Sequence, residues 1–300
     1  MRAVRDGLLL ETGFGVYATV GRSEDPVELQ AALVRDVQLA RRERWFAARR
    51  SAAVLMGIPI IGRAPTQAQM VRAGGRHGAQ GKNRHLRISP LDEADVWEFE
   101  RIHLTTPART VVDIARSESF RNGLVAADAA LRRGVPREDL HGVVQRMSRW
   151  PGVARARRVV VAANGLAESP GESITRAELP PGLDAKPQVE VYLRGSFIAR
   201  LDLFIEEPLL AVEFDGAIKF TEPQTLPALL LRQELIREAG IDVLRVFWDE
   251  VFASPAAFRS RLLSRIAERG VRRLPRGVAL QQATLRPVPP LLSHASHAAA

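Results

Sequence analysis

The stretch at residues 200–220, RLDLFIEEPLLAVEFDGAIKF, is mostly apolar yet places Asp202, Glu213 and Asp215 inside two strand-like runs. An ionised carboxylate in a buried sheet is so unfavourable without a partner that it shifts its pKa or finds a cation. Strand side chains alternate, so Glu213 and Asp215 share one face while Val212 and Phe214 take the other; Asp202 likewise opposes Leu201 and Leu203. A turn at Glu207 and Pro208 sets Asp202 directly opposite Glu213, with their Cβ atoms about 5 Å apart. Like charges at that distance repel, and a divalent cation with oxygen ligands at roughly 2.0–2.2 Å relieves the repulsion. Mg²⁺ or Mn²⁺ is the expected occupant. Gly216 permits a sharp turn after the pair, and Lys219, one of only three lysines, has the reach to bring its ammonium back to the carboxylates. The same spacing allows a second arrangement, in which Asp202 and Glu213 lie on a solvated face or pair with Arg200, Arg232 and Arg245.

The elements that must position these groups follow from periodicity and turn signals. A helix is predicted at 172–179, strands at 188–193, 197–205 and 209–214, a helix at 226–239, a strand at 243–247 and a helix at 255–269. Helices therefore flank one mixed sheet. The turn-rich NGLAESPGES before it marks a domain boundary, and the Pro-, Ala- and Ser-rich chain beyond Arg273 is expected to be disordered.

Upstream, residues 2–21 read as the end of a helix and two short strands meeting at Gly13 and Gly15, the tail and wing of a winged helix. Residues 26–59 read as two helices, closed by Gly57 and Pro59. The Gly-rich basic loop GGRHGAQGKNRHLRIS leads into a strand. It fails as a phosphate-binding P-loop, because Arg76 occupies the first glycine position and Asn83 replaces the Ser or Thr that holds magnesium. TTPARTVVDIARS, with Thr106 as N-cap and Pro107 at the first helical position, and FRNGLVAADAALRRG are two further helices.

The chain has no cysteine, which excludes disulfides, thiolate metal sites and cysteine nucleophiles. No window reaches the roughly 18 apolar residues of a membrane span, so a cytoplasmic protein without a membrane partner is expected. The net charge is +9, and it is unevenly spread: residues 1–150 carry 24 basic and 17 acidic groups, residues 151–300 carry 19 and 17. The N-terminal half is the expected electrostatic contact surface, or a solvated Arg-rich face.

ESPGESITR, RLDLF, AVEFDGAIKF and LRQELIREAGIDVLRVFW, in this order, resemble a domain of unknown function allied to the very-short-patch-repair (Vsr) endonucleases of the PD-(D/E)XK nuclease superfamily. The resemblance implies a restriction-endonuclease-like mixed sheet flanked by helices, with Glu172, Asp202 and Glu213 binding Mg²⁺ or Mn²⁺. Asp215 and Gly216 match the family's E-x-D-G step, and Arg232, Gly240 and Arg245 its trailing helix and strand, which makes Arg232 and Arg245 candidate nucleic-acid contacts. The chain departs from the pattern where the family usually carries His after that step, here Lys219. The superfamily's lysine two residues after the Glu is replaced by Asp215. Either Lys219 supplies the missing cation from a displaced position, or the site is degenerate.

RRSAAVLMGIP, LTTPARTVVDIAR and VAADAALRRG resemble the actinobacterial AbiEi-type antitoxin family. That resemblance implies a nucleotidyltransferase toxin as partner. It also implies a winged helix, of which only the tail and wing remain here. The expected fold is α/β: a mostly helical N-terminal region with a winged-helix remnant (1–22) and an AbiEi-like part (23–163), a Vsr-like nuclease domain (164–270) and a disordered tail (271–300). The expected function is metal-dependent hydrolysis of nucleic-acid phosphodiesters, with DNA expected ahead of RNA as the nucleic-acid partner and the sequence leaving the substrate open between them. The alternative is a non-catalytic antitoxin or DNA-binding regulator.

Overall fold

The structure, a computed structural model, describes residues 9–13, 16–19, 25–40, 44–74, 77–81, 84–216, 225–285 and 288. The chain divides into two compact α/β units, one within Met1–Gly165 and one spanning Leu166–Arg286. No helix among the described residues is long and apolar enough to cross a membrane.

In the first unit β1 (Leu9–Gly13) and β2 (Val16–Thr19) form an antiparallel hairpin whose register shifts between Glu11 and Gly13. The rest of the expected winged-helix remnant lies outside the described residues, as do Arg76, Lys82 and Asn83. Helix α1 (Pro26–Leu39) starts at Asp25, whose carboxylate accepts the Val27 N–H at 2.8 Å. It is followed by β3 (Phe46–Ala47), α2 (Arg49–Leu55), β4 (Ala68–Arg72), β5 (Ala79–Gln80), β6 (Arg84–Ile88), β7 (Val96–Phe99) and β8 (Ile102–Thr105). These six strands make one mixed sheet in the order β5-β6-β4-β3-β8-β7.

A mostly helical first region was expected, and the sheet corrects that. Two of its strands are only two residues long, and β3 lies inside the segment 26–59 whose helical spacing hides it.

Four helices complete the unit: α3 (Pro107–Ser117), α4 (Phe120–Arg132), α5 (Arg137–Arg146) and α6 (Val153–Ala162). Thr106 caps α3 as its sequence implies, accepting the Arg109 N–H. Val111, Val112, Leu124, Val159 and Val160 fill the core between these helices. Gly123 keeps α3 and α4 close, since a Cβ there would lie 2.8 Å from the Ala115 backbone.

The second unit runs α7 (Pro170–Ala177), β9 (Lys186–Leu193), β10 (Ser196–Ile205), β11 (Leu210–Phe214), α8 (Thr225–Glu238), β12 (Asp242–Val246), α9 (Pro255–Arg269) and β13 (Val278–Gln282). Its sheet order is β12-β11-β10-β9-β13. β9 to β11 form an antiparallel meander, and β12 returns parallel to β11 after α8. Val189, Val191, Leu201, Ala211, Ile236 and Ile241 pack as its core.

The chain after residue 270 is not wholly disordered as expected. β13 pairs antiparallel with β9, and Leu274, Val278 and Leu280 pack against the core. The strand covers an edge that β9 would otherwise expose, and its neighbours Pro275 and Gly277 are what make the sequence look like a linker.

Candidate functional site

The β10–β11 hairpin turns through residues 206–209 and pairs Ile205 with Leu210, Phe204 with Ala211 and Leu203 with Val212. This is the register that the Glu207–Pro208 turn implies. Asp202 lies one residue beyond the last described pair, and its Oδ2 accepts the Phe214 N–H at 2.9 Å. Glu172 arrives on the first turn of α7, which Ser169 caps by accepting the Glu172 N–H at 3.2 Å. Gly171 is what lets α7 reach the strand. A Cβ there would sit 2.1 Å from the Phe214 ring, so the small residue before Glu172 is a condition of the site.

Burial is the main reason the Asp202 carboxyl is pushed up to about 7, with the Glu172 and Glu213 charges adding to it and the Phe214 N–H and Arg232 opposing it. Glu172 is also pushed above the ordinary carboxylate range, chiefly by burial. Its Oε2 accepts the Glu168 N–H at 2.8 Å and the Gln188 side-chain amide at 2.9 Å. Gln188 is 2% exposed and takes a left-handed φ of 51° at the start of β9. Sequence reasoning passed over it, although an amide entering an inward-facing alternation was a readable signal.

Glu213 has a different partner. Arg232 of α8 grips it with two bonds, Nη2 to Oε1 at 2.5 Å and Nη1 to Oε2 at 3.2 Å, and also donates to the Arg200 carbonyl at 3.1 Å. The grip follows from spacing: Ile236, one turn later on α8, packs against Ala211, which shares a β11 face with Glu213. Asp215 has Arg245 of β12 at 4.0 Å, and Arg200 contacts Glu168 at 3.4 Å. Arg232 and Arg245, expected as nucleic-acid contacts, are thus placed against carboxylates; of the pairings in the second sequence arrangement only Arg232 with Glu213 is present, Arg245 and Arg200 facing Asp215 and Glu168 instead. Lys219 lies outside the described residues.

The residues are therefore brought together unequally. The Glu172 and Glu213 charges both act on Asp202, yet no group of three acidic or histidine side chains among the described residues is arranged to hold a metal ion. The donor set itself suits a hard divalent cation: carboxylate oxygens, of which Asp202 accepts a single hydrogen bond and forms no ion pair among the described residues. Comparisons with protein-family models, curated proteins and solved structures find no match for this chain. The chemistry of the site therefore rests on its own residues.

Proposed function

We propose that the second unit is a divalent-cation-dependent nuclease, hydrolysing phosphodiester bonds of nucleic acid, DNA or RNA, in the cytoplasm. The observation that carries this reading is the convergence of Asp202, Glu172 and Glu213 from two strands and a helix with too little positive charge to match them. Asp202 and Glu213 would hold Mg²⁺ or Mn²⁺, with Glu172 assisting. The bound ion would supply Lewis-acid activation of the phosphate and of water.

The chain's own residues set the conditions for that chemistry. Gln188 and the Glu168 N–H fix the orientation of Glu172. The Phe214 N–H holds Asp202. Arg232 balances Glu213 and competes with a cation for it. Lys219 supports the attacking water or the phosphate, a role that comes from the sequence alone.

The Glu213–Arg232 grip favours a second reading, a non-catalytic binding module on the same sheet. The AbiEi-like motifs of the first unit support a toxin–antitoxin or defence setting, with a nucleotidyltransferase toxin as partner, for either reading.

A single-turnover assay with Mg²⁺ or Mn²⁺, on DNA and RNA, separates the two. Cleavage by the native chain is expected to fall about 10²-fold or more in Asp202→Asn and Glu213→Gln, and by a similar factor in Lys219→Ala. Cation at 100 times its dissociation constant should add about 2.7 kcal/mol of stability to the native chain and none to Asp202→Asn. Nucleic acid bound but not cut by the native chain, with either cation and on DNA and RNA alike, would establish the binding module instead.

A further inference from the structure

The first unit contains a second set of charges, with the opposite imbalance. A cleft of about 380 Å³ lies between β6, α3 and the turn after α5, and is lined by Arg49, Arg87, Ser89, Asp113, Arg116 and Trp150 among others. Among the described residues Asp113 is the only carboxylate of the lining, and it is already occupied: its Oδ2 accepts Arg109 Nε at 2.9 Å and its Oδ1 accepts Arg116 Nε at 2.7 Å. Glu118, the other nearby acid, accepts from Arg50 at 3.1 Å and from Asn122 at 2.6 Å.

Arg49 and Arg87 are left over. Neither forms an ion pair or a side-chain hydrogen bond among the described residues, and Arg49 Nε is buried without an acceptor. Arg49 also holds a left-handed φ of 54°. For a residue with a side chain this conformation is strained, and such strain concentrates at ligand sites.

The surrounding backbone is shaped to hold this cleft. Gly152, at φ 81°, lets the Trp150–Pro151 turn lie against α3, where a Cβ would come within 1.9 Å of the Arg116 carbonyl oxygen. The Trp150 ring is thereby set 5.0 Å from the Arg116 guanidinium carbon and 5.1 Å from that of Arg109. Burial and the neighbouring Arg87 charge push the Arg49 guanidinium below its ordinary value against the opposing Glu118 and Asp113 charges, and burial, Arg87 and Arg49 do the same to His85.

We infer that this cleft binds the phosphate dianion of a phosphomonoester, such as a nucleotide, through Arg49, Arg87 and Arg116. Guanidiniums match phosphate oxygens in paired hydrogen bonds. A dianion balances the two unpaired guanidiniums, whereas a backbone phosphodiester carries one charge and is read along an open basic stripe, which a cleft is not.

The test is calorimetric titration and thermal melting of the full chain in EDTA, which removes any cation-dependent binding at the second unit. The probes are inorganic phosphate, a nucleoside 5′-monophosphate, the free nucleoside and a duplex oligonucleotide without terminal phosphate. Phosphate and the monophosphate should bind saturably with one site per chain, and the free nucleoside should not bind. Tighter binding of the monophosphate than of phosphate shows a nucleotide site, and equal binding shows that the phosphoryl group alone is recognised.

Arg49→Gln and Arg87→Gln should each weaken binding about 10-fold or more. Arg87 is exposed, so its variant tests the site even if Arg49→Gln folds poorly, and Arg35→Gln, in an exposed pair with Glu100, should bind like the native chain. The inference is overturned by the absence of a saturable phosphate response, by equal binding in the native chain and Arg87→Gln, or by tighter binding of the unphosphorylated duplex than of the monophosphate.

Discussion

Arg109 in the first unit and Asp202 in the second are both charged side chains drawn into a packed interior, but the folds treat them differently. Arg109 is 1% exposed, and each arm of its guanidinium is matched: Nε to Asp113 at 2.9 Å, Nη1 to Asp95 at 2.7 Å and the Pro90 carbonyl at 3.2 Å, Nη2 to the Ser89 hydroxyl at 2.9 Å. Its two acids are matched in turn by Arg116 and by Arg146, at 2.7 and 2.6 Å. Asp202 has one amide and the charges of two carboxylates, set against a single guanidinium, Arg232, that is bonded to Glu213. A closed network of opposite charges is architecture, whereas an open one of like charges is a bias toward a ligand.

The hardest way to break this comparison is to open the closed network. Arg109→Ala leaves Asp95 and Asp113 buried with one cation each and should cost about 3–5 kcal/mol, the usual penalty for removing one partner of a buried pair. Urea denaturation followed by the first unit's Trp45, Trp97 and Trp150 would measure it. A cost below about 1 kcal/mol would mean that Arg116 and Arg146 suffice, and that the network is less closed than its geometry indicates.

A smaller effect is expected where the second unit's site is shaped by packing. Gly171→Ala drives a methyl group into the Phe214 ring and should cost about 1–3 kcal/mol as overpacking. The displaced α7 should also carry Glu172 away from Asp202. An alanine variant with native stability and a native metal response would show that α7 need not approach so closely.

How much of this was legible beforehand differs between the units for physical reasons. In the second, β9 to β12 are each five residues or longer and bounded by turn residues, so their period, turns and hairpin register were readable, whereas β13, beside Pro275 and Gly277, was not. In the first, β3 and β5 are two-residue strands held by their neighbours, and no local period encodes them. The same limit applies within the site. That Glu213 and Arg232 are near one another follows from strand and helix phase, but that Arg232 turns onto Glu213 depends on α8 docking through Ile236. Gly171 and Gln188 act through contacts with residues far along the chain, which pattern alone does not show.

The smallest expected effect has an unusual sign and sharpens the comparison furthest. Between the ordinary carboxylate value and about 7, the folded chain keeps a proton on Asp202 that the unfolded chain has released. Stability without a divalent cation should therefore fall as pH rises through that window and level off above it. Glu172, shifted in the same direction, steepens the fall. The shift corresponds to about 4 kcal/mol across the window. Asp202→Asn keeps an oxygen for the Phe214 N–H and removes the charge, while still burying a polar group. In EDTA at pH 8 it should therefore be about 1–2 kcal/mol more stable than the native chain, with the advantage gone near pH 4. Urea midpoints at pH 4, 6 and 8 for both proteins would show this as curves that diverge with pH. Parallel curves would mean that Asp202 ionises at no cost in the fold. The contrast with Arg109 would then disappear, and with it the electrostatic case for a cation at this sheet.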